Sequence, residues 1–203
     1  MPTSPAPSPR RRLSKEARLR QLIEASWALI RDEGTDALTL GRLAEKAGVS
    51  KPVVYDHFGT RNGLLAVLYQ DFDVRQTAII DDAIAASEPT LQDKARVIAT
   101  RYVECVSAQG REIPGVLAAL NGSPELAAVK TQYQHVFIRK CQNILAPFAG
   151  PQGISLASLW GMLGAADALS QAAVANEISQ EAARDELFRI IVDMVKRMQA
   201  PPP

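Results

Sequence analysis

The sequence predicts an all-α protein of about nine helices, with a small N-terminal domain followed by a larger helical one. Apolar residues recur at three- and four-residue intervals along most of the chain, which is the period of an amphipathic helix. Alanine is abundant, aromatic residues are only 5% of the 203 residues, and alternating β-branched runs are few. Hydrophobic residues make up 47% and charged residues 22% of the chain, a balance that permits a substantial core.

The first predicted helix runs from about Ser14 to Glu33 and is closed by Gly34. Leucine and isoleucine side chains recur along it at helical spacing, so one face should pack against the rest of the N-terminal domain. The preceding segment, Pro2 to Pro9, alternates proline with Ser, Thr and Ala. It lacks the apolar core of a secretion signal and is predicted to be disordered.

A helix-turn-helix pattern follows over residues 39–58. Its first helix is predicted from Leu40 to Ala47, and Gly48 supplies the left-handed conformation that the turn requires. Ser50 is placed to cap the second helix, whose apolar positions Val54 and Phe58 should face the core. Two helices joined by a three-residue turn with glycine form a module whose second helix enters the major groove of DNA. An ordinary helical hairpin is the alternative.

Capping residues and prolines mark the remaining helices. The connecting helix starts near Thr60 and runs beyond Asp81. Thr90 is a strong start for the next helix, and Ser123-Pro124-Glu125 combines a cap, a first-turn proline and an acid. The predicted spans after the connecting helix are about 91–108, 115–120, 123–147, 155–176 and 180–198.

Charge is distributed unevenly along the chain. The formal net charge is +1, but residues 1–70 hold 11 Lys and Arg against 7 Asp and Glu, so the remainder is net acidic. A basic end attached to an acidic body suits a protein whose N-terminal part meets DNA. The apolar stretch 154–178 is interrupted by polar residues and is rich in Ala and Gly, which predicts a packing helix and no membrane span.

Catalysis and metal binding are not predicted. His57, His135, Cys105 and Cys141 offer only an unsupported Cys–His possibility, because the chain lacks a Gly-rich phosphate loop, a nucleophile elbow and a carboxylate dyad. The two cysteines are far apart and lack metal-ligand spacing, so reduced thiols without metal or cofactor are expected.

The order of one long helix, a helix-turn-helix, the segment Tyr55-Asp56-His57-Phe58 and a long connecting helix resembles the TetR (tetracycline-repressor) family of transcriptional regulators. The specific resemblance covers residues 14–69. It implies a disordered basic arm (1–13), a helix-turn-helix DNA-binding domain (14–60) and a helical ligand-binding and dimerisation domain (61–203). It also implies a cytoplasmic homodimer that binds a palindromic operator, predicted to be a repressor released by a small lipophilic or aromatic molecule. A ligand-independent DNA-binding or scaffolding factor on the same fold is the alternative.

The DNA-binding residues are predicted from this resemblance. It assigns phosphate-contacting or anchoring roles to five polar residues, and apolar contacts with thymine methyl groups to Pro52 and Val53. The five are Thr39, Ser50, Lys51, Tyr55 and His57, and Arg42 and Arg61 are added to them. Arg10, Arg11 and Arg12 precede the first helix of this domain, so they are predicted to form either a flexible arm that reaches phosphates or the minor groove, or a solvated terminus. Asp56 departs from the expected pattern because phosphate would repel a carboxylate.

The predicted C-terminal domain carries two further expectations. The resemblance implies a small-molecule site there, and the lining is predicted to be Phe72, Tyr102, Cys105, Leu117, Asn121, Tyr133, Phe137, Trp160 and Gly164. A packed core whose polar Tyr and Trp groups are satisfied locally is the alternative. The last two helices carry small residues and an apolar stripe, which indicates either core within one subunit or a dimer interface. The interface residues are predicted to be Gly161, Ala165, Ala168, Leu187, Ile191, Met194 and Met198.

Overall fold

A computed structural model describes residues 13–107 and 112–199 of the chain. Nine α-helices and two short 3₁₀ turns make up these ranges, which contain no strand, and the all-α prediction is confirmed. The helices are α1 (Lys15–Glu33), α2 (Leu40–Ala47), α3 (Lys51–Phe58), α4 (Arg61–Ala86), α5 (Leu91–Ser107), α6 (Glu112–Asn121), α7 (Pro124–Leu145), α8 (Leu156–Val174) and α9 (Gln180–Arg197). No helix in the described ranges is both long and apolar enough to cross a membrane.

The chain forms two compact units, which divide between Leu68 and Tyr69. The domain boundary predicted from the sequence, at residue 60, lies eight residues before this division and immediately before α4. Because α4 begins in the first unit and ends in the second, one continuous helix belongs to both units.

The first unit is built by α1 packing against α2, and α2 against α3. Ser14 begins α1 as predicted, since its Oγ accepts a hydrogen bond from the Ala17 amide at 3.1 Å. The fully buried side chains of Leu22, Leu29 and Leu43 contribute to the core of this unit. Their burial stabilises the packing of α1 against α2.

The turn between α2 and α3 has the predicted conformation. Gly48 adopts φ 64° and ψ 38°, the left-handed region that glycine enters without steric cost. Ser50 differs from the prediction: it precedes α3, but its side chain makes no capping hydrogen bond. A second glycine is required where α4 begins, because a Cβ on Gly63 would lie 2.1 Å from the carbonyl oxygen of Phe58.

The second unit is organised around α5, α8 and α9, which pack against one another, with α7 against α5 and α8. Thr90 caps α5 as predicted, since its Oγ1 accepts from the Asp93 amide at 3.1 Å. The helix α6 begins three residues earlier than predicted, at Glu112, because Pro114 falls in its first turn, where proline removes no intrahelical hydrogen bond. The core of this unit includes Leu159, Leu187 and other aliphatic side chains of α5, α8 and α9.

Candidate DNA-binding surface and internal cavity

One side of α3 faces solvent, and the other is fixed in the core of the first unit. Val54 and Phe58 are buried, as predicted, and anchor the helix. Lys51, Tyr55 and Asp56 are exposed, and the Tyr55 side chain is 52% accessible to solvent. Residues four apart lie on the same face of a helix. The exposed face therefore presents an ammonium, a phenol and a carboxylate.

The remaining predicted residues of α3 flank this face. Pro52 is exposed, whereas Val53 and His57 are only partly so. The aliphatic stem of Lys51 lies close to the start of α2, since a Cβ added to Gly41 would be 3.7 Å from Lys51 Cε. The ammonium group of Lys51 is thereby held near the N-terminal ends of both α2 and α3.

Two hydroxyl groups stand at these helix N-termini. The Oγ1 of Thr39 accepts a hydrogen bond from the Arg42 amide at 3.1 Å and still has a hydrogen to donate. The hydroxyl of Ser50 is not used as a cap, and both residues are exposed. Helix N-termini carry partial positive charge from unpaired amides, so the two ends together form a surface suited to phosphate groups.

Arg42 is exposed, but carboxylates of its own domain balance its charge. Its Nη2 is 2.7 Å from Glu33 Oε1, and its Nη1 is 3.0 Å from Glu45 Oε2. The hydrogen bonds that the guanidinium donates to Glu33 and Glu45 raise its pKa above the usual value. Arg42 therefore brings no net positive charge to the surface unless these ion pairs open.

Arg61 has a structural task within the first unit. Its Nε donates to the Leu38 carbonyl and its Nη2 to the Thr35 carbonyl, each at 2.9 Å. These bonds attach the start of α4 to the 3₁₀ turn before α2, a role that the sequence did not indicate. The predicted contacts of Arg10, Arg11 and Arg12 lie outside the described residues.

A cavity of about 490 Å³ lies within the second unit, where α4 to α8 all contribute to its walls. Six of the predicted lining residues are brought together there: Phe72, Tyr102, Cys105, Leu117, Tyr133 and Phe137. The side chain of Asn121 lies outside the described residues. A volume of this size falls in the range of small-molecule sites.

Trp160 and Gly164 do not line the cavity, so these two predictions are wrong. Trp160 packs edge-on against His135, with ring centroids 5.3 Å apart. Gly164 faces outwards, and nothing lies within 4 Å of a Cβ built on it. The reason is the rotation of α8, which turns Leu163 and Asp167 towards the cavity instead.

Sequence reasoning missed most of the polar lining of the cavity. The missed polar residues are Tyr69, Asp73, Gln76, Thr77, Lys130, Gln134, Asp167 and Gln171. The first four recur with Phe72 and Ile80 at three- and four-residue spacing on one face of α4. This mixed aromatic and polar stripe could have indicated a cavity in the sequence, because a helix that packs in an ordinary core carries aliphatic side chains on its buried face.

Burial changes the acid–base properties of the cavity wall. It raises the pKa of the Asp73 carboxyl from 3.8 to about 6, with a smaller opposing attraction from Lys140. Burial is also the largest cause of the raised pKa of Tyr102, whose hydroxyl donates to Asp167 Oδ1 at 2.5 Å. The cavity wall thus combines phenol groups with carboxylates whose negative charge is only partly compensated by other groups of the protein.

The predicted dimer-interface residues divide into two groups. Leu187, Ile191 and Met194 are at most 2% exposed and pack in the core of their own subunit, so their assignment to an interface is wrong. An apolar stripe looks the same in sequence whether its partner is intramolecular or intermolecular. The other group is accessible: Gly161 and Ala168 are exposed on α8, and Ala165 and Met198 are partly exposed.

The N-terminal part of the chain is similar in sequence to known bacterial regulatory proteins. Residues 22–68 match the model of the family described as bacterial regulatory proteins, tetR family. The HTH-type transcriptional regulator BetI of Cronobacter sakazakii is 38% identical over 69 residues, which cover 34% of this chain and 32% of that protein. The HTH-type transcriptional activator FasR of Mycolicibacterium smegmatis is 42% identical over 63 residues, which cover 30% of this chain and 29% of that protein. The chain therefore spans about a third of the length of these curated relatives.

Structural similarity extends further along the chain. The crystal structure of a transcriptional regulator from Rhodococcus sp. Rha1 matches with a TM-score of 0.70 at 16% identity, over 90% of this chain and 98% of that one. At this identity the match shows the fold alone. Both curated relatives are named as HTH-type transcriptional regulators or activators.

Proposed function

We propose that this chain, whose residues 22–68 belong to the TetR family of bacterial regulatory proteins, is a homodimeric transcriptional regulator that binds a palindromic operator and responds to a small molecule. One observation carries the proposal. The helix α4 runs unbroken from the unit that holds the exposed face of α3 into the unit whose cavity it lines. A ligand in the cavity therefore touches a helix that also belongs to the DNA-binding domain.

Binding to DNA would use α3 as the recognition helix. Lys51, Tyr55 and the hydroxyls of Thr39 and Ser50 would contact phosphates, while Pro52 and Val53 would lie against base edges in the major groove. Asp56, which is exposed on the same face, would accept a hydrogen bond from a cytosine amino group. The phosphate contacts fix the position of the helix, and the base contacts select the sequence.

Dimerisation would use the outward face of α8. Gly161, Gly164 and Ala168 have little or no side chain, so a second helix can approach this face closely. Two subunits related by a two-fold axis would present two recognition helices to two half-sites. We place this assembly in the cytoplasm, where the operator is located.

The response to a ligand would be a shift between two conformers. A ligand that lowers operator affinity about 100-fold must prefer the non-binding conformer by about 2.7 kcal/mol. We propose repression relieved by the ligand, and the cavity favours this over a ligand-independent DNA-binding or scaffolding factor. FasR of M. smegmatis is named an activator, so the direction of regulation needs its own measurement.

Selection from random double-stranded oligonucleotides with the full-length protein tests the DNA-binding claim. We expect enrichment of an inverted repeat whose half-sites are centred about 10 base pairs, or a multiple of that, apart. Recovery of random sequence at every round would contradict the proposal. A reporter gene downstream of the enriched sequence then distinguishes repression from activation.

A further inference from the structure

The cavity in the second unit has an excess of negative charge. Asp73 on α4 and Asp167 on α8 line it, and Lys130 on α7 is the basic residue among the described lining residues. A partly buried, partly apolar site strengthens the effect of such charges, because water screens them less than at the open surface. The formal charge of the lining therefore bears directly on the chemical class of the ligand.

Asp73 is the carboxylate that the fold leaves without compensation. No described residue forms a hydrogen bond or a salt bridge with it, and the Lys140 ammonium that attracts it is paired with Asp81 at 2.5 Å. A partly buried carboxylate without a partner is unfavourable in its charged form. The free energy lost in burying it could be recovered by a ligand of opposite charge.

Asp167 is only half satisfied. Its Oδ1 accepts the hydroxyl hydrogen of Tyr102, and its second oxygen accepts no hydrogen bond from a described residue. A carboxylate can accept several hydrogen bonds at once. The hydrogen bond with Tyr102 also fixes the position of the carboxylate at the wall of the cavity.

Aromatic rings supply the rest of the recognition chemistry. Tyr69 and Tyr133 meet edge-on with centroids 5.4 Å apart, and Tyr102 and Phe137 are tilted at the same separation. All four line the cavity. The faces of aromatic rings attract cations, and their apolar surface suits the organic part of a ligand.

We infer that the cavity binds an organic cation with an aromatic or apolar body, whose positive charge faces Asp73 and Asp167. A neutral or anionic ligand of the same shape would leave Asp73 uncompensated. This inference rests on the proposed function, because it assigns a chemical class to the ligand of the same cavity. The inference narrows the class of ligand expected from the sequence, a lipophilic or aromatic molecule, to molecules that carry a positive charge.

Three probes of similar shape and different charge test the inference by isothermal titration calorimetry on the full-length protein without DNA. They are phenyltrimethylammonium, its neutral isostere tert-butylbenzene, and the anion benzenesulfonate. We expect the cation to bind at least about 10-fold more tightly than either of the others. Asp73→Asn and Asp167→Asn should each remove most of this preference, whereas Asp73→Glu, which keeps the charge, should retain it.

Asp82→Asn is the matched control, because it removes an exposed carboxylate from the same helix. This variant should bind the three probes with unchanged affinities. Circular dichroism spectra check that each variant is folded. Equal or tighter binding of tert-butylbenzene or benzenesulfonate, or no binding of phenyltrimethylammonium, would overturn the inference. Release of operator DNA is measured separately: selective binding of the cation without release would contradict the ligand response and leave the inference standing.

Discussion

Tyr102 and Asp167, 65 residues apart in sequence, are joined by a hydrogen bond from the phenol hydroxyl to the carboxylate Oδ1. This bond connects α5 to α8 at the wall of the cavity. Hydrogen bonds to charged groups contribute more than neutral ones, about 1.5–3 kcal/mol. The pair therefore both stabilises the second unit and orients one of the two acidic groups of the cavity.

Replacing Tyr102 with phenylalanine should lower the free energy of unfolding of the second unit by about 1–3 kcal/mol, since Asp167 loses its donor and the ring remains. Urea denaturation followed by circular dichroism measures the loss. Tyr133→Phe is the matched control, because no described residue hydrogen-bonds to that hydroxyl. If the two variants lose equal free energy of unfolding, the hydrogen bond with Asp167 does not account for the effect of replacing Tyr102.

Lys51→Ala and Tyr55→Ala should each weaken operator binding while the first unit remains folded. Both side chains are exposed, and the helix is anchored by Val54 and Phe58. If Lys51 contacts one phosphate in each subunit, its loss should reduce the log–log salt slope of binding by about 1.8. Fluorescence anisotropy at several salt concentrations measures this slope. Arg101→Ala, which removes an exposed positive charge from the second unit, should leave affinity and slope unchanged.

Deletion of residues 1–12 should weaken binding to operator and random DNA alike. The three arginines of this segment would each contact a phosphate, so the salt slope should fall by at most about 2.7 per arm. The same anisotropy titrations, run on both DNAs, provide the measurement. An unchanged slope would show that these arginines are simply solvated.

Ala168→Glu should produce monomers that keep a native circular dichroism spectrum, because the residue is exposed on the outward face of α8. These monomers should lose operator affinity, since one recognition helix gains nothing from a second half-site. Analytical ultracentrifugation determines the oligomeric state. Ala128→Glu, at an exposed position on α7, is the control and should stay dimeric. A dimeric Ala168→Glu protein would exclude this face as the interface.

Ile191→Asp should instead unfold the second unit. Ile191 is fully buried within its own subunit, and an unpaired charge there costs about 4 kcal/mol or more. Thermal denaturation should show a large decrease in Tm or no cooperative transition. A stably folded, monomeric Ile191→Asp variant would show that Ile191 lies at the dimer interface after all.

Asp73→Asn should stabilise the protein above pH 6 but not below pH 4. Burial raises the pKa of Asp73 from 3.8 to about 6, so the native state keeps its proton where the unfolded state has lost it. The wild type therefore loses stability as pH rises through this window, and asparagine does not. The expected gain at pH 7.5 is about 1 kcal/mol, because solvent screening reduces the roughly 3 kcal/mol that the pKa change alone implies.

Unfolding curves of the two proteins at pH 4 and pH 7.5 measure this difference. The ionisable groups that share the cavity are Tyr69, Tyr102, Cys105, Lys130, Tyr133 and Asp167, with Lys140 attracting Asp73 from α7. They are present in both proteins, so the comparison isolates Asp73. A gain of equal size at the two pH values would show that titration of Asp73 is not its source.

The sequence by itself determined the helices, the turn of the helix-turn-helix and the anchored face of α3. Capping by Ser14 and Thr90, the left-handed Gly48 and the periodicity of Val54 and Phe58 are local features. Helical hydrogen bonds join residues four apart, so neighbouring residues are sufficient to specify where such elements begin and end.

Only the tertiary structure decided which faces of α8 and α9 are buried and which polar groups meet in the cavity. Ile191 and Ala168 both suit a helix interface in sequence, yet one lies in the core and the other faces solvent. Asp73 and Asp167 line one cavity although 94 positions separate them in the chain. Periodicity gives the angle between residues around one helix axis, but the rotation of that helix against its neighbours depends on packing among side chains distant in sequence.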